Sequence, residues 1–226
     1  MLTIAFVTQK GGAGKTTMAA SLAVAAAESG ERVIALDLDP QGSLAAWGDR
    51  RDGGGPSFER LTVEKLPPDK VSQLKAILAA LDRKGYTIAV LDTAGVDSTT
   101  AHVAMQVADL CLMPARPSRL DIEATGTTFR AVLRMGRRVA FVLNQCPPMP
   151  RSSRSMEAAA GLRMLGVLAD PMMTARADYQ DAIAAGLGVT EYDPNSKAAQ
   201  EAVALWNWVR SQLKGEQHVA QAAVGH

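Results

Sequence analysis

Nine consecutive residues near the start of the chain, Gln9-Lys10-Gly11-Gly12-Ala13-Gly14-Lys15-Thr16-Thr17, combine glycines, lysines and hydroxyls in an order suited to binding phosphate. In the stretch Gly11-Gly12-Ala13-Gly14 the glycines let successive backbone N–H groups turn inward around phosphate oxygens. Lys15 can then reach the β- and γ-phosphates, and the Thr16 hydroxyl can ligate Mg²⁺ beside Thr17. A helix beginning at Lys15 would add its positive N-terminal end. The common pattern, G-x-x-x-x-G-K-[ST], wants glycine at position 9, where Gln9 stands, and a second lysine, Lys10, lies five residues before Lys15. A ligand-free strand-to-helix turn does not require Gly-Lys-Thr after its glycines, so the segment reads as a phosphate cradle.

Phosphoryl transfer to water needs charge neutralisation, a metal bridging phosphate oxygens and a group that positions the water. Asp37, Asp39 and Asp92 fall at the carboxyl ends of predicted strands, where ligands bind in open parallel sheets. Asn144 offers both a donor and an acceptor, which suits a purine edge. No arginine stands out as a finger for the terminal phosphate, so intrinsic hydrolysis is expected to be slow. His102, His218 and His226 have no carboxylate or cysteine at ligand spacing, and Cys111 and Cys146 form no C-x-x-C pair.

Positioning these groups falls to an alternation of apolar runs and helical patterns. Strand-like runs cover 2–7, 32–38, 86–91, 109–113 and 138–143, with a weaker one at 165–168. Helical patterns cover 15–28, 69–83, 98–107, 118–135, 152–164 and 195–213, the last with an apolar stripe of Ala202, Val203, Leu205, Trp206, Val209 and Leu213. Such alternation predicts an α/β fold: one doubly wound, mostly parallel sheet with helices on both faces. The domain is expected over 1–213, with 214–226 a frayed tail. Surface loops are expected at 52–56, 67–68 and 146–150.

The chain has 226 residues, 47% of them hydrophobic, enough for one large core. Its longest small-apolar run, 18–27, falls short of the roughly 18 residues of a membrane span, and no basic leader precedes the first strand. A cytoplasmic protein is the expectation. The formal net charge is +1, yet 116–176 carries ten arginines, no lysine and four acids.

With these residues in view, the sequence resembles the ParA/MinD-type ATPases of the deviant Walker A class of P-loop NTPases. The resemblance rests on the lysine-bearing loop, on Val33-Ile34-Ala35-Leu36-Asp37-Leu38-Asp39-Pro40-Gln41-Gly42-Ser43, on Ala89-Val90-Leu91-Asp92-Thr93-Ala94, on Val142-Leu143-Asn144 and on Glu191-Tyr192-Asp193-Pro194-Asn195-Ser196-Lys197. It departs where Thr93-Ala94-Gly95 replaces the family's usual Thr-Pro-Pro, and in the three prolines that follow Asn144.

The resemblance implies an ATP- and Mg²⁺-dependent enzyme in which Lys10 reaches across a nucleotide-sandwich homodimer. It implies that Asp39 orients water and that Thr16, Asp39 and Asp92 hold the metal. It further implies that Asn144 meets adenine, with Pro171 on the adenine-side loop. A partner, ParB-like and centromere-binding or a cargo adaptor, would stimulate hydrolysis. The surface would be non-specific nucleoid DNA, held through Arg151, Arg154, Arg163 and Arg176, in partition of a plasmid, a chromosome or other cargo. No N-terminal helix-turn-helix precedes the loop, which resembles the small ParA type. A MinD-like membrane-positioning ATPase stays open as the alternative, whereas Lys10 and the Asp37–Gly42 segment argue against a ligase of the dethiobiotin-synthetase kind.

Overall fold

The computed structural model of the chain describes residues 1–52, 59–95, 98–149 and 152–223, apart from the side chains of residues 52 and 214–223. Its elements run β1 (Leu2–Phe6), α1 (Lys15–Glu28), β2 (Val33–Asp37), α2 (Ser43–Asp52), β3 (Leu61–Lys65), then a 3-10 turn at Pro68–Gln73 and α3 (Leu74–Arg83). There follow β4 (Ile88–Asp92), α4 (Thr99–Val107), β5 (Leu110–Ala115), α5 (Arg119–Arg134), β6 (Val139–Leu143) and α6 (Ser153–Leu165). The chain closes with β7 (Val167–Leu168), α7 (Ala177–Ala184), α8 (Val189–Tyr192) and α9 (Lys197–Ala223).

Seven strands form one sheet in the order β3-β2-β4-β1-β5-β6-β7, and every pairing is parallel. The sheet is thus wholly parallel where the sequence predicts a mostly parallel one. Strands β2, β4, β5 and β6 are buried at every residue, as continuous apolar runs must be when helices cover both faces. β3 is absent from the sequence expectation. It is an edge strand, half-buried at Leu61, Thr62 and Val63 and exposed at Glu64 and Lys65, so it has no apolar run to read. The short helices α2, α7 and α8 also went unread, α2 because Gly48, Asp49, Arg50 and Arg51 break its apolar pattern.

One face of the sheet packs against α1, α2 and α7 to α9, and the other against α3 to α6. Alanine-rich α1 is buried from Met18 to Ala27, its small side chains admitting close approach of both sheet and α9. Of the predicted α9 stripe, Ala202, Leu205, Trp206, Val209 and Leu213 are in the core, but Val203 is 42% exposed. Trp206 is 1% exposed, and its indole N–H donates to Ser29 Oγ at 2.8 Å, tying α9 to the end of α1. The expected tail at 214–226 and most of the expected loop at 52–56 lie outside the described side chains and residues. Among the described residues, no helix is long and apolar enough to cross a membrane.

The packing of α9 sets a stability test. Trp206→Ala empties a fully buried site and removes a hydrogen bond, so it should cost about 3–5 kcal/mol in denaturant unfolding. Val203→Ala on the same helix should stay within about 0.5 kcal/mol of the parent.

Candidate functional site

At the carboxyl end of the sheet, the loop after β1 leads into α1 through Gly12 and Gly14, whose φ angles of +72° and +89° lie in the left-handed region. A side chain is excluded at Gly14 for a second reason: a Cβ there would stand 2.3 Å from Asn144 Nδ2. Asn144 follows β6, and its amide donates to the Ala13 carbonyl at 2.8 Å. The next residue, Gln145, is the one non-glycine with positive φ among the described residues, at +54°, and its amide donates to the Gly12 carbonyl at 3.0 Å. Two side-chain amides therefore hold the loop's carbonyls from behind. That arrangement turns neighbouring N–H groups to the opposite side, where an anion would sit.

Lys15 opens α1 and is only 8% exposed. Burial pushes its ammonium below the usual lysine range, against the opposing pull of Asp92 and Asp39. Asp92 ends β4 in register with Asp37 at the end of β2 and with Phe6 of β1. Its Oδ2 accepts from Thr16 Oγ1 at 2.6 Å, and its buried Oδ1 has no hydrogen-bond partner. Burial, reinforced by the charges of Asp37 and Asp39, pushes the Asp92 carboxyl up to about 7.

Asp37 is fully buried and accepts from two backbone N–H groups, Asp39 at 2.9 Å and Ala45 at 2.8 Å. It fixes both the turn that bears Asp39 and the first turn of α2, so its role is structural support. Asp39 is half-buried, and its Oδ1 accepts from the Gln41 N–H at 3.0 Å. Lys65 at the end of β3 donates to the Pro40 carbonyl at 3.0 Å, passing the space left open by Gly42, where a Cβ would lie 2.8 Å from its Nζ. Sequence reasoning missed Lys65 because it sits on the unread edge strand.

Gly11, Gly12, Gly14, Lys15, Thr16, Thr17 and Asp39 line one open cleft, with Asp37 and Asp92 buried behind it. Gly95 closes its floor: a Cβ there would lie 3.2 Å from Lys15 Nζ and 3.3 Å from Gly11 Cα. The departure at Thr93-Ala94-Gly95 thus has a physical reason, close approach of the β4 exit to the phosphate loop. Lys10 does not line this cleft. It is half-buried beside the start of α5, where its charge acts on Asp121. Burial of Asp121 is there outweighed by hydrogen bonds from Ser118 and Arg116 and by the charges of Arg116 and Lys10, which keep its carboxyl below the usual range.

A second cleft of about 450 Å³ continues from Gly14 and Thr17 past Asn144 and Gln145 to Met173, Thr174, Arg176 and Tyr179. Its size and position suit a nucleoside joined to phosphates on the first cleft. Pro171 precedes this wall in the chain but does not line it; Met173 to Ala177 do. Arg176 belongs to the same wall, with Nε 3.1 Å and Nη2 2.8 Å from Glu201 Oε1, so its guanidinium takes part in an ion pair at the base-side cleft. Arg154 and Arg163 are exposed on α6, nine residues apart, which places them on opposite flanks of the helix. Arg151 lies outside the described residues.

The site can be tested for the ligands it implies. The unpartnered Asp92 Oδ1 and the Thr16 hydroxyl beside it are oxygen donors suited to Mg²⁺ and its waters. No group of three or more His, Cys, Asp or Glu among the described residues could hold a metal, and waters and phosphate oxygens would complete the shell. The residues fit a magnesium nucleotide.

A parallel sheet with a glycine loop, a buried lysine and strand-end carboxylates at its carboxyl edge defines a P-loop nucleotide-binding protein. Residues 4–69 match the family model described as the CobQ/CobB/MinD/ParA nucleotide binding domain. The chain is 31% identical over 213 residues to the maintenance of carboxysome distribution protein A of Gloeobacter kilaueensis, covering 93% of each chain. It is also 31% identical over 180 residues to protein virC1 of Rhizobium rhizogenes, covering 76% of each. Among solved structures, the cell division ATPase MinD of Pyrococcus furiosus superposes with a TM-score of 0.75 at 21% identity, over 93% of this chain and 99% of that one. Apo McdA of Cyanthece gives 0.74 at 18% identity, over 89% and 98%. The chain belongs to the ParA/MinD family of P-loop ATPases.

Two substitutions separate binding from support. Lys15→Ala should abolish nucleotide binding in calorimetric titration while leaving the fold intact. Asp37→Ala strands two N–H groups at the start of α2 and should lower stability by about 2–4 kcal/mol in urea unfolding; an unchanged midpoint would remove Asp37 from its supporting role.

Proposed function

We propose that this chain is a positioning or partition ATPase: it binds Mg-ATP, closes into a homodimer on the nucleotide, holds DNA without sequence preference and releases it on hydrolysis. The observation that carries the reading is the single cleft in which Lys15, Thr16 and Asp39 face the same space in front of the glycine loop. Relatives support it in their names, one maintaining carboxysome distribution and another named protein ParA, the latter 29% identical over 186 residues. A Cyanothece McdA variant has been solved as an ATP complex.

In this reading the loop N–H groups and Lys15 bind and orient the triphosphate. Thr16, Asp92 and Asp39 are the residues that would hold Mg²⁺. When bound, Mg²⁺ would supply positive charge against the phosphates. Asp39 positions the attacking water, its backbone turn held from below by Asp37 and from the side by Lys65. Asn144, which lines the base-side cleft, serves the adenine side. Lys10, placed outside its own phosphate cleft, serves the phosphates of the second subunit.

The cleft offers no arginine poised at the γ-phosphate among the described residues. Arg50 reaches its rim, with Nη2 3.4 Å from the Ile183 carbonyl. Slow hydrolysis that awaits a stimulating partner follows, either a ParB-like or a cargo-adaptor protein. The DNA surface would draw on Arg151, Arg154, Arg163 and Arg176, and the protein would be nucleoid-associated in the cytoplasm. DNA is favoured over the membrane alternative because Ala202, Leu205, Trp206, Val209 and Leu213 of the α9 stripe lie in the core.

Binding of the Asp39→Ala protein to non-specific duplex DNA, with ATP against ADP across a salt series, tests this reading. Expected is ATP-dependent retention whose log affinity falls linearly with log salt, together with an ATP-stable dimer in sedimentation. Retention equal in both nucleotides, or none in either, overturns the DNA reading, and normal ATP turnover by the variant removes Asp39 from the mechanism.

A further inference from the structure

The wall of the base-side cleft is organised from behind by a residue that does not line it. Glu201, on the second turn of α9, has a side chain only 14% exposed. Its Oε2 accepts from the Thr174 backbone N–H at 3.1 Å, and its Oε1 from the Thr174 hydroxyl at 2.8 Å. Oε1 also faces Arg176, with Nε at 3.1 Å and Nη2 at 2.8 Å. The Tyr179 hydroxyl lies 3.3 Å from Oε2 and 3.2 Å from the Ala198 carbonyl, between which it shares its proton. Thr174, Arg176 and Tyr179 all face the cleft on their other sides.

Thr174 and Arg176 lie on the connection between β7 and α7, which is stitched on its inner side to the exit of β6, and Tyr179 lies on α7 itself. Met173 N–H donates to Leu143, Cys146 N–H to Met173 and Ala175 N–H to Cys146, at 2.8–2.9 Å. Those bonds fix the backbone next to Asn144; the outer side is fixed by one carboxylate. Without it, the Thr174 N–H loses its partner and the guanidinium of Arg176 swings free beside the place of the base. The ion pair has an electrostatic consequence too. It offsets the cation at this end of the cleft, so that the cations left to attract phosphate, Lys15 and Arg50, lie in the first cleft.

We propose that Glu201 is a positioning residue for the nucleoside: by holding Thr174, Arg176 and Tyr179 it shapes the base-side wall and keeps Arg176 from competing for phosphate. The inference rests on the reading that the two clefts together take ATP. It deepens that reading by assigning discrimination between a nucleotide and a bare polyphosphate to a carboxylate on α9.

The experiment is a calorimetric comparison, on the full chain, of Mg-ATP with magnesium tripolyphosphate, which engages the phosphate loop without a base. Parent protein should prefer ATP. In Glu201→Ala the ratio of the two affinities should fall roughly tenfold, through weaker ATP binding with tripolyphosphate binding unchanged or tighter. Glu201→Gln keeps one accepting oxygen and should fall between. If Glu201→Ala fails to fold, Thr174→Val keeps the branched shape, removes one contact and should lower the ratio about threefold.

An unchanged ratio, or equal losses for both ligands, overturns the proposal, because a merely structural defect would weaken both alike. Parent protein that binds tripolyphosphate as tightly as ATP overturns the base-side assignment and leaves the phosphate loop standing. Parent protein that binds neither overturns both.

Discussion

A phosphate site made of backbone N–H groups imposes one constraint: those donors must be left unpaired by the protein, yet the loop that bears them must not collapse. The chain meets it from the carbonyl side. Asn144 and Gln145 hold the carbonyls of Ala13 and Gly12, which pins the peptide planes and leaves their opposite edges open. Much of the surrounding architecture follows. Gly14 must be glycine because Asn144 occupies the space of its side chain, and Gln145 must adopt a left-handed backbone to bring a second amide within reach. The loop after β1 is thereby held by residues after β6, with β5 between the two strands.

The carboxylates answer a different electrostatic demand. Asp37 and Asp92 stand side by side on neighbouring strands, both without solvent exposure, and they are made tolerable in different ways. Asp37 is surrounded by backbone donors that secure α2 and the Asp39 turn. Asp92 has Thr16 on one oxygen and nothing on the other, and burial raises it to about 7. An ion of opposite charge would relieve that site, so the ligand-free protein holds a carboxyl in an environment that favours its proton. The difference between a structural and a functional aspartate is thus visible in what each oxygen accepts.

The glycine-lysine loop, both strand-end aspartates and Asn144 were legible because each belongs to a local pattern: a glycine run followed by Lys-Thr, or a polar residue ending an apolar run. The five central strands were legible for the same reason, since burial on both faces demands continuous apolar sequence. β3 and Lys65 were not, because an edge strand with one covered side can be written with Thr, Glu and Lys. Glu201 was beyond sequence reading as well. Its partners lie 22–27 residues upstream, Thr174 and Arg176 on the connection before α7 and Tyr179 on α7, and no periodicity connects them to α9. Arg176 shows the hazard of reading charge alone: an arginine in a basic stretch is neutralised by a carboxylate that composition cannot pair with it.

The strand order has a consequence for how such a chain comes to be made. β1 leaves the ribosome before the other strands of this sheet, yet its neighbours are β4 and β5, which end at Asp92 and Ala115. At about 5–20 residues per second, roughly 5–20 s of synthesis separate the emergence of β1 from that of its second neighbour. During that interval two apolar strands, β1 and β2, lie side by side in sequence with no pairing between them in the final sheet. The nascent chain therefore carries sticky, unpaired segments for many seconds, and the central place of the first strand makes escort by chaperones a cost written into the topology.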